Sequence, residues 1–201
     1  MKLAICMPSV AVNPSRSTAC FGALCAQTVL SGLISDFRIK NLQGAYIDLS
    51  RETMAHEALT WGADVIFWLD HDHTTPPDAI VRLLKHNVPI VGCGYRNRTA
   101  PDFARMPAFK KDQKKRDGLM EAEYMLGGFT MIRKEVYQKL DRPWYRDGWG
   151  LDVTRPEAHI GEDIDFSRRA AEAGFEFLID MALTKEIGHL AEIELKWDLN
   201  G

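Results

Sequence analysis

The run Asp64-Val65-Ile66-Phe67-Trp68-Leu69-Asp70-His71-Asp72-His73 constrains this chain more than any other stretch. From Val65 to Leu69 every residue is β-branched, aromatic or aliphatic, with no polar side chain at alternate positions. Neither face of a strand built from them can look at water, which places that strand in a parallel sheet between two layers of helices. The run then ends in four consecutive ionisable side chains, at the carboxyl end of a strand, where open α/β sheets gather their ligands.

The surrounding sequence repeats the same grammar. Lys2 to Met7 reads as a buried strand closed by Pro8 and Ser9, because proline cannot donate to a central ladder. Ala19 to Leu33 is helical in spacing, and Phe37 to Leu42 suits a strand. Ser50 is an expected N-cap for a helix whose face carries Met54, Ala58, Leu59 and Trp61 and which Gly62 ends. Pro76 and Pro77 open a helix over Asp78 to His86, and Val88 to Cys93 is the next strand. The second half is less regular: Glu123 to Leu126 and Phe129 to Ile132 flank Gly127-Gly128, a short helix covers Lys134 to Leu140, a longer one Glu162 to Ala173, and Phe175 to Ile179 is strand-like.

Composition bounds the class. A chain of 201 residues, 46% hydrophobic and 26% charged, buries a real core, which excludes a disordered tail, a collagen-like repeat and a small disulfide scaffold. Twenty-five basic against 28 acidic residues give a formal net charge of −3, so any attraction for an anionic ligand must be local. Cys6, Cys20, Cys25 and Cys93 are scattered without a metal-binding spacing, as in a reducing compartment. The first apolar run stops at Pro8, too short for a signal-peptide core or a membrane span, and the expected location is the cytoplasm.

Three groups carry candidate chemistry. Asp70 and Asp72 flank one residue at a strand end, where two carboxylates can converge on a hard cation; the competing reading is an acidic turn that caps the next helix, and His71 with His73 offers a zinc site instead. Glu162 and Asp163 stand at a helix N-terminus, either as ordinary capping acids or with one of them as a general base. His189 is a surface histidine or, with the two aspartates, a third ligand in a set that suits Mn²⁺ or Mg²⁺ better than zinc.

These groups occur in a fixed order: Asp70-His71-Asp72 after its strand, Pro76-Pro77-Asp78-Ala79-Ile80, Gly127-Gly128-Phe129-Thr130 through Val136, Gly161-Glu162-Asp163-Ile164-Asp165-Phe166 with Ala173-Gly174-Phe175, and His189. In that order they resemble a glycosyltransferase of the GT-A fold, similar to the family 2 type, from residue 2 to about residue 190. The resemblance implies an α/β, Rossmann-like GT-A fold with a mainly parallel central sheet flanked by helices. It makes 1–201 a single catalytic domain, with 1–95 as nucleotide-binding half and 96–201 as acceptor and catalytic half. It also implies a nucleoside-diphosphate sugar as donor, with Mn²⁺ or Mg²⁺. Pro8, Ser9 and Arg51 would lie near the nucleotide, Asp70 would contact the ribose or a water on the metal, and Asp72 would hold the metal with His189. Gly127 and Gly128 would let the backbone approach the sugar, and the acidic pair Glu162-Asp163 would supply, through Asp163, the base of an inverting transfer. The chain departs from the family in its shortness and in lacking a Gln-x-x-Arg-Trp motif.

Other readings stay open. A nucleotidyltransferase that makes nucleotide sugars shares the architecture, although Ser9 to Thr18 has one Arg and no glycine; a non-catalytic sugar-nucleotide-binding module would keep the pocket without the turnover. The acceptor hydroxyl could belong to a glycan, a lipid-linked or small molecule, or a modified nucleic acid. Arg96 to Gly118, with eight basic residues against three acidic, reads as a solvated loop, a lid over the diphosphate, or a nucleic-acid contact. Trp144, Tyr145 and Trp149 are core aromatics or sugar platforms.

Overall fold

The computed structural model describes residues 1–9, 15–44, 46–96, 104–105, 109–110, 118–154 and 156–190. Most of the basic segment and everything after Leu190 fall outside them. In the first half, β1 (Lys2–Ser9), α1 (Ser15–Leu30), β2 (Asp36–Gln43), α2 (Ile47–Trp61), β3 (Val65–Leu69), β4 (His73–Thr74), α3 (Ala79–His86), β5 (Ile90–Gly92) and β6 (Tyr95–Arg96) follow one another. The second half adds β7 (Ala104–Arg105), β8 (Leu119–Ala122), β9 (Phe129–Arg133), α4 (Lys134–Lys139), β10 (Gly148–Trp149), β11 (His159–Ile160), α5 (Glu162–Glu172), β12 (Phe177–Asp180), α6 (Met181–Thr184) and β13 (Gly188–His189).

The main sheet has seven strands in the order β2-β1-β3-β9-β5-β12-β8. Strand β1 pairs parallel with β2 and β3, and β5 with β12, while β9 runs antiparallel between β3 and β5 and β8 antiparallel on the edge. The sheet is therefore mixed but mostly parallel in direction, with helices on both faces, as expected of an α/β chain. Alternation along β3 explains its unbroken hydrophobicity. Val65, Phe67 and Leu69 pack with Leu24 of α1 and with Ile80 and Leu83 of α3, whereas Ile66 and Trp68 pack with Met54 and Ala58 of α2, Tyr137 of α4 and Phe166 of α5. Among the described residues no helix is long and apolar enough to cross a membrane.

Several local expectations shift. Strand β1 continues through Pro8 and Ser9, because its pairing with β3 stops at Cys6 and Pro8 has a ladder partner on the β2 side alone. Helix α2 starts at Ile47 with Tyr46 as its N-cap, so Ser50 is a buried residue inside the helix rather than its cap. Gly62 does end it, at φ 91°, a left-handed conformation that a side chain would strain. The strand before Gly127-Gly128 is Leu119–Ala122, and Glu123 to Leu126 form the turn that follows it. Trp144 and Tyr145 belong to the core, whereas Trp149 is exposed.

The irregular second half is tied down by carboxylates. Glu52 of α2 accepts hydrogen bonds from the backbone N–H groups of Trp144 (2.7 Å) and Tyr145 (3.3 Å) and from Arg142 Nε (2.8 Å). Asp165, fully buried on α5, accepts from Arg146 (2.8 Å), Arg168 (2.9 Å) and Arg169 (3.0 Å). Behind them Trp68 Nε1 donates to Tyr137 Oη (3.0 Å), which lies 2.9 Å from Tyr145 Oη, so the polar atoms of this aromatic cluster are paired where burial would otherwise be costly.

Candidate functional site

The carboxyl ends of β1 and β3, the N-terminal end of the antiparallel β9, and the N-termini of α2 and α5 meet at one edge of the sheet. This brings together residues from five separate sequence regions. Pairing of Leu69 with Phe129 sets Gly127-Gly128 beside Asp70, whose N–H donates to Gly128 O (2.9 Å). A narrow cleft at this edge is lined by Met7, Phe21, Leu69, Asp70, His71 and His73. Ser9, at the end of β1, donates through Oγ to Asn41 Oδ1 (3.3 Å), with Pro8 just before it.

Strand β3 ends at Leu69, so Asp70, His71 and Asp72 form a turn and not the end of a strand. The two carboxylates each meet their own partner. Asp70 Oδ1 lies 3.4 Å from Arg51 Nη2. Asp72 Oδ2 lies 3.2 Å from His189 Nε2, and its other oxygen 3.7 Å from His73 Nδ1. His189 is brought there by a short antiparallel pairing of β13 with β4, in which His189 stands opposite His73.

The two ring nitrogens of His189 are differentiated by their partners. Nδ1 is 2.7 Å from the carbonyl oxygen of Arg96, and because a carbonyl can only accept, Nδ1 carries the proton. Nε2 is the atom that faces Asp72: it donates to the carboxylate when the ring carries both protons, and the neutral ring, its proton held on Nδ1, offers a lone pair at Nε2. The hydrogen bond to Asp72 raises the pKa of His189 above its ordinary value, against the effect of partial burial. Burial pushes Asp72 up, but the bond to His189 and its charge outweigh this and leave the carboxyl lowered to about 2. His73 is buried and stacked on His189, centroids 4.7 Å apart and planes 7° off parallel, with Tyr95 edge-on at 4.5 Å. Burial lowers its pKa, and among the described residues neither ring nitrogen has a hydrogen-bond partner. With its ring stacked on that of His189, His73 acts as a packing support.

Arg51, which the resemblance puts near the nucleotide, is 3% exposed. Its Nε donates to Glu162 Oε1 (3.0 Å), Nη2 faces Asp70, and the guanidinium sits 5.0 Å over the Trp68 ring. Burial alone would favour loss of its proton, but Asp70 and Glu162 hold it charged and raise its pKa. Burial likewise raises the pKa of Glu162, opposed by Arg51. The acidic pair at the start of α5 is thus divided. Gly161 is the N-cap; Glu162 is engaged inward, while the half-buried Asp163 makes a long contact, 3.4 Å, with the Gly127 N–H.

The glycine pair has a cause inside the protein. A Cβ on Gly127 would stand 2.8 Å from Arg51 Nη2, and one on Gly128 2.6 Å from Tyr95 Oη and against the Asp70 carboxylate. Their lack of side chains makes room for the buried cation and its acidic partner. Nothing local in the sequence distinguishes Tyr95, whose ring meets those of His73 and His189. Arg51 meets Glu162 over 111 residues of chain, a pairing that no local spacing reveals.

Among the described residues no three His, Cys, Asp or Glu side chains are grouped so as to hold a metal ion, so Asp70, Asp72 and His189 do not form one three-residue set. A carboxylate and an imidazole at one edge nevertheless suit Mg²⁺ or Mn²⁺, ions commonly held by one or two side chains with the remaining positions filled by substrate phosphates and water.

No protein-family model matches the sequence, and no curated protein is significantly similar to it. Solved structures are similar in fold. A197 from STIV matches with a TM-score of 0.57 and 14% identity over the whole of both chains. GalNAc-T7, crystallised with UDP, GalNAc and Mn²⁺, matches with a TM-score of 0.57 and 11% identity, covering all of this chain and 45% of that one. S. aureus TarS 1-349 aligns with 89% of this chain and 58% of its own at 10% identity, with a TM-score of 0.44. At such identities the likeness is one of architecture: the chain has a GT-A-like, glycosyltransferase-type fold.

Proposed function

We propose that this chain is a metal-dependent glycosyltransferase that moves a sugar from a nucleoside-diphosphate sugar to an acceptor hydroxyl. The observation that carries the reading is the His189–Asp72 pair, with Nδ1 satisfied by a carbonyl and Nε2 turned to the carboxylate at the ligand-gathering edge of a GT-A-like sheet. Residues 1–95 would form the nucleotide half, with Pro8 and Ser9 beside the nucleoside, and residues 96–201 the acceptor half.

Asp72 and His189 would hold Mn²⁺ or Mg²⁺, with Asp70 on the ribose or a bound water. A bound divalent cation neutralises charge on the departing diphosphate. Asp163 accepts the proton of the acceptor hydroxyl as its oxygen attacks the anomeric carbon, giving inversion; Asp163 fits this task better than Glu162, which is engaged by Arg51. Arg51 fixes Asp70 and Glu162 relative to one another, which preserves the geometry between donor and base. A sugar at this edge would rest against the backbone of Gly127-Gly128.

The test is release of nucleoside diphosphate from a panel of nucleoside-diphosphate sugars, with Mn²⁺ and with chelator. Release that needs the cation and is lost in Asp163→Asn when an acceptor is present supports the reading. Release that ignores the chelator, or none from any donor, contradicts it.

A further inference from the structure

Of the three aromatic residues that the sequence sets before the acidic helix, two are accounted for by the core and one is not. Trp149 is 69% exposed on the β10–β11 hairpin, where it pairs with His159. Its ring meets His159 edge-on, centroids 5.3 Å apart and planes at 78°, and His159 Nε2 lies 3.1 Å from Asp147 Oδ1. The hairpin leads through Gly161 into α5, and the four steps of chain from His159 to Asp163 span at most about 14 Å. An exposed indole face bordered by a carboxylate and an imidazole thus stands on the segment that leads directly into the helix carrying Asp163.

We propose that Trp149 is the acceptor-side platform and that the acceptor it takes is a neutral carbohydrate, stacked by the apolar face of a pyranose ring on the indole and hydrogen-bonded through its hydroxyls to Asp147 and His159. The proposal rests on the glycosyl-transfer reading above and narrows its acceptor. Stacking presents a flat apolar surface to ring C–H groups, and the adjoining carboxylate and imidazole supply the acceptor and donor atoms that sugar hydroxyls require. Charge argues against a nucleic-acid strand: from Asp147 to Asp163 the sequence has five acidic residues, Asp147, Asp152, Glu157, Glu162 and Asp163, against the single Arg155. A phosphodiester backbone would be repelled there.

The test follows the indole N–H resonances of the ¹⁵N-labelled full chain, which has five tryptophans. The Trp149 signal is identified by its loss in Trp149→Phe. Methyl β-glucoside, methyl β-galactoside and N-acetylglucosamine are titrated, with glucitol as a polyol that has no ring and oligothymidylate as the nucleic-acid alternative. A saturable shift of the Trp149 signal with at least one pyranoside and none with glucitol or oligothymidylate is expected, with affinity weakened by about tenfold in Trp149→Ala. No saturable shift with any pyranoside, an equal response to glucitol, or a response to oligothymidylate alone overturns the proposal. A separate thermal-shift measurement on the wild-type chain with nucleoside diphosphates and Mn²⁺ reports on the donor half; its failure with a positive sugar titration would sink glycosyl transfer and leave a carbohydrate-binding face.

Discussion

Asp70 and Glu162 differ from Asp72 and Asp163 in what they face, although each pair is drawn from the same two short motifs. The first two turn inward onto Arg51, a guanidinium 3% exposed and lying over Trp68. The second two meet partners that a ligand can displace: a histidine whose other nitrogen is already satisfied, and a single backbone N–H at 3.4 Å. In each motif one acid is therefore held by Arg51, and its neighbour is not. The acidic motifs cannot be treated as four equivalent catalytic groups.

The most severe way to break this division is to remove the shared cation. Arg51→Met leaves Glu162 buried without its partner, and an uncompensated buried charge costs about 3–5 kcal/mol. Chemical denaturation should show a loss of that size; a loss under about 1 kcal/mol would mean that the inner pair is not held by Arg51. Asp163→Asn should do the opposite, lowering transfer by about 10²–10⁴-fold with the denaturation midpoint and donor affinity unchanged. Loss of donor affinity in step with transfer would place Asp163 with the inner pair.

Asp165, two residues further along α5, sharpens the contrast because its three arginines have no part in the edge. Asp165→Asn should cost about 2–3 kcal/mol without a selective effect on transfer. Burial pushes its carboxyl up, but the arginines prevail and hold it below its ordinary 3.8. A depressed folded value means that the stabilisation is complete above about pH 4 and disappears as pH falls through that depressed value. The wild-type chain should therefore lose its margin over Asp165→Asn in acid denaturation below about pH 4; a margin that persists to lower pH would contradict the ion-pair account. The smallest effect is expected from Gly128→Ala, whose methyl must displace Asp70 or Tyr95, at about 1–2 kcal/mol. Stability equal to wild type would show that the glycine does not make room for them.

The first half of the fold was readable because its signals are local. The continuous run of β3, the left-handed stop at Gly62 and the apolar face of α2 each follow from a few adjacent residues. Ser50 misled because a serine before an acidic turn has the form of an N-cap, while the helix starts three residues earlier and buries it. The site was readable as a set of residues but not as a set of contacts. Asp70 and Asp72 sit in a turn beyond the strand, where their spacing does not set which partner each meets. The Arg51–Glu162 and His189–Arg96 pairings join segments about a hundred residues apart and arise from the topology of the mixed sheet. Much of the basic stretch from Arg96 to Gly118 falls outside the described residues, and its reading as lid or loop rests on sequence alone.

The most direct measurement is calorimetric titration of wild-type protein and Asp72→Ala with the common nucleoside diphosphates, each with and without Mn²⁺. At least one nucleotide should bind the wild type only when Mn²⁺ is present, and that enhancement should vanish in Asp72→Ala while the unfolding transition stays in place. Nucleotide binding that is indifferent to Mn²⁺, or a Mn²⁺ effect that survives in Asp72→Ala, would contradict an edge in which Asp72 and His189 hold the cation.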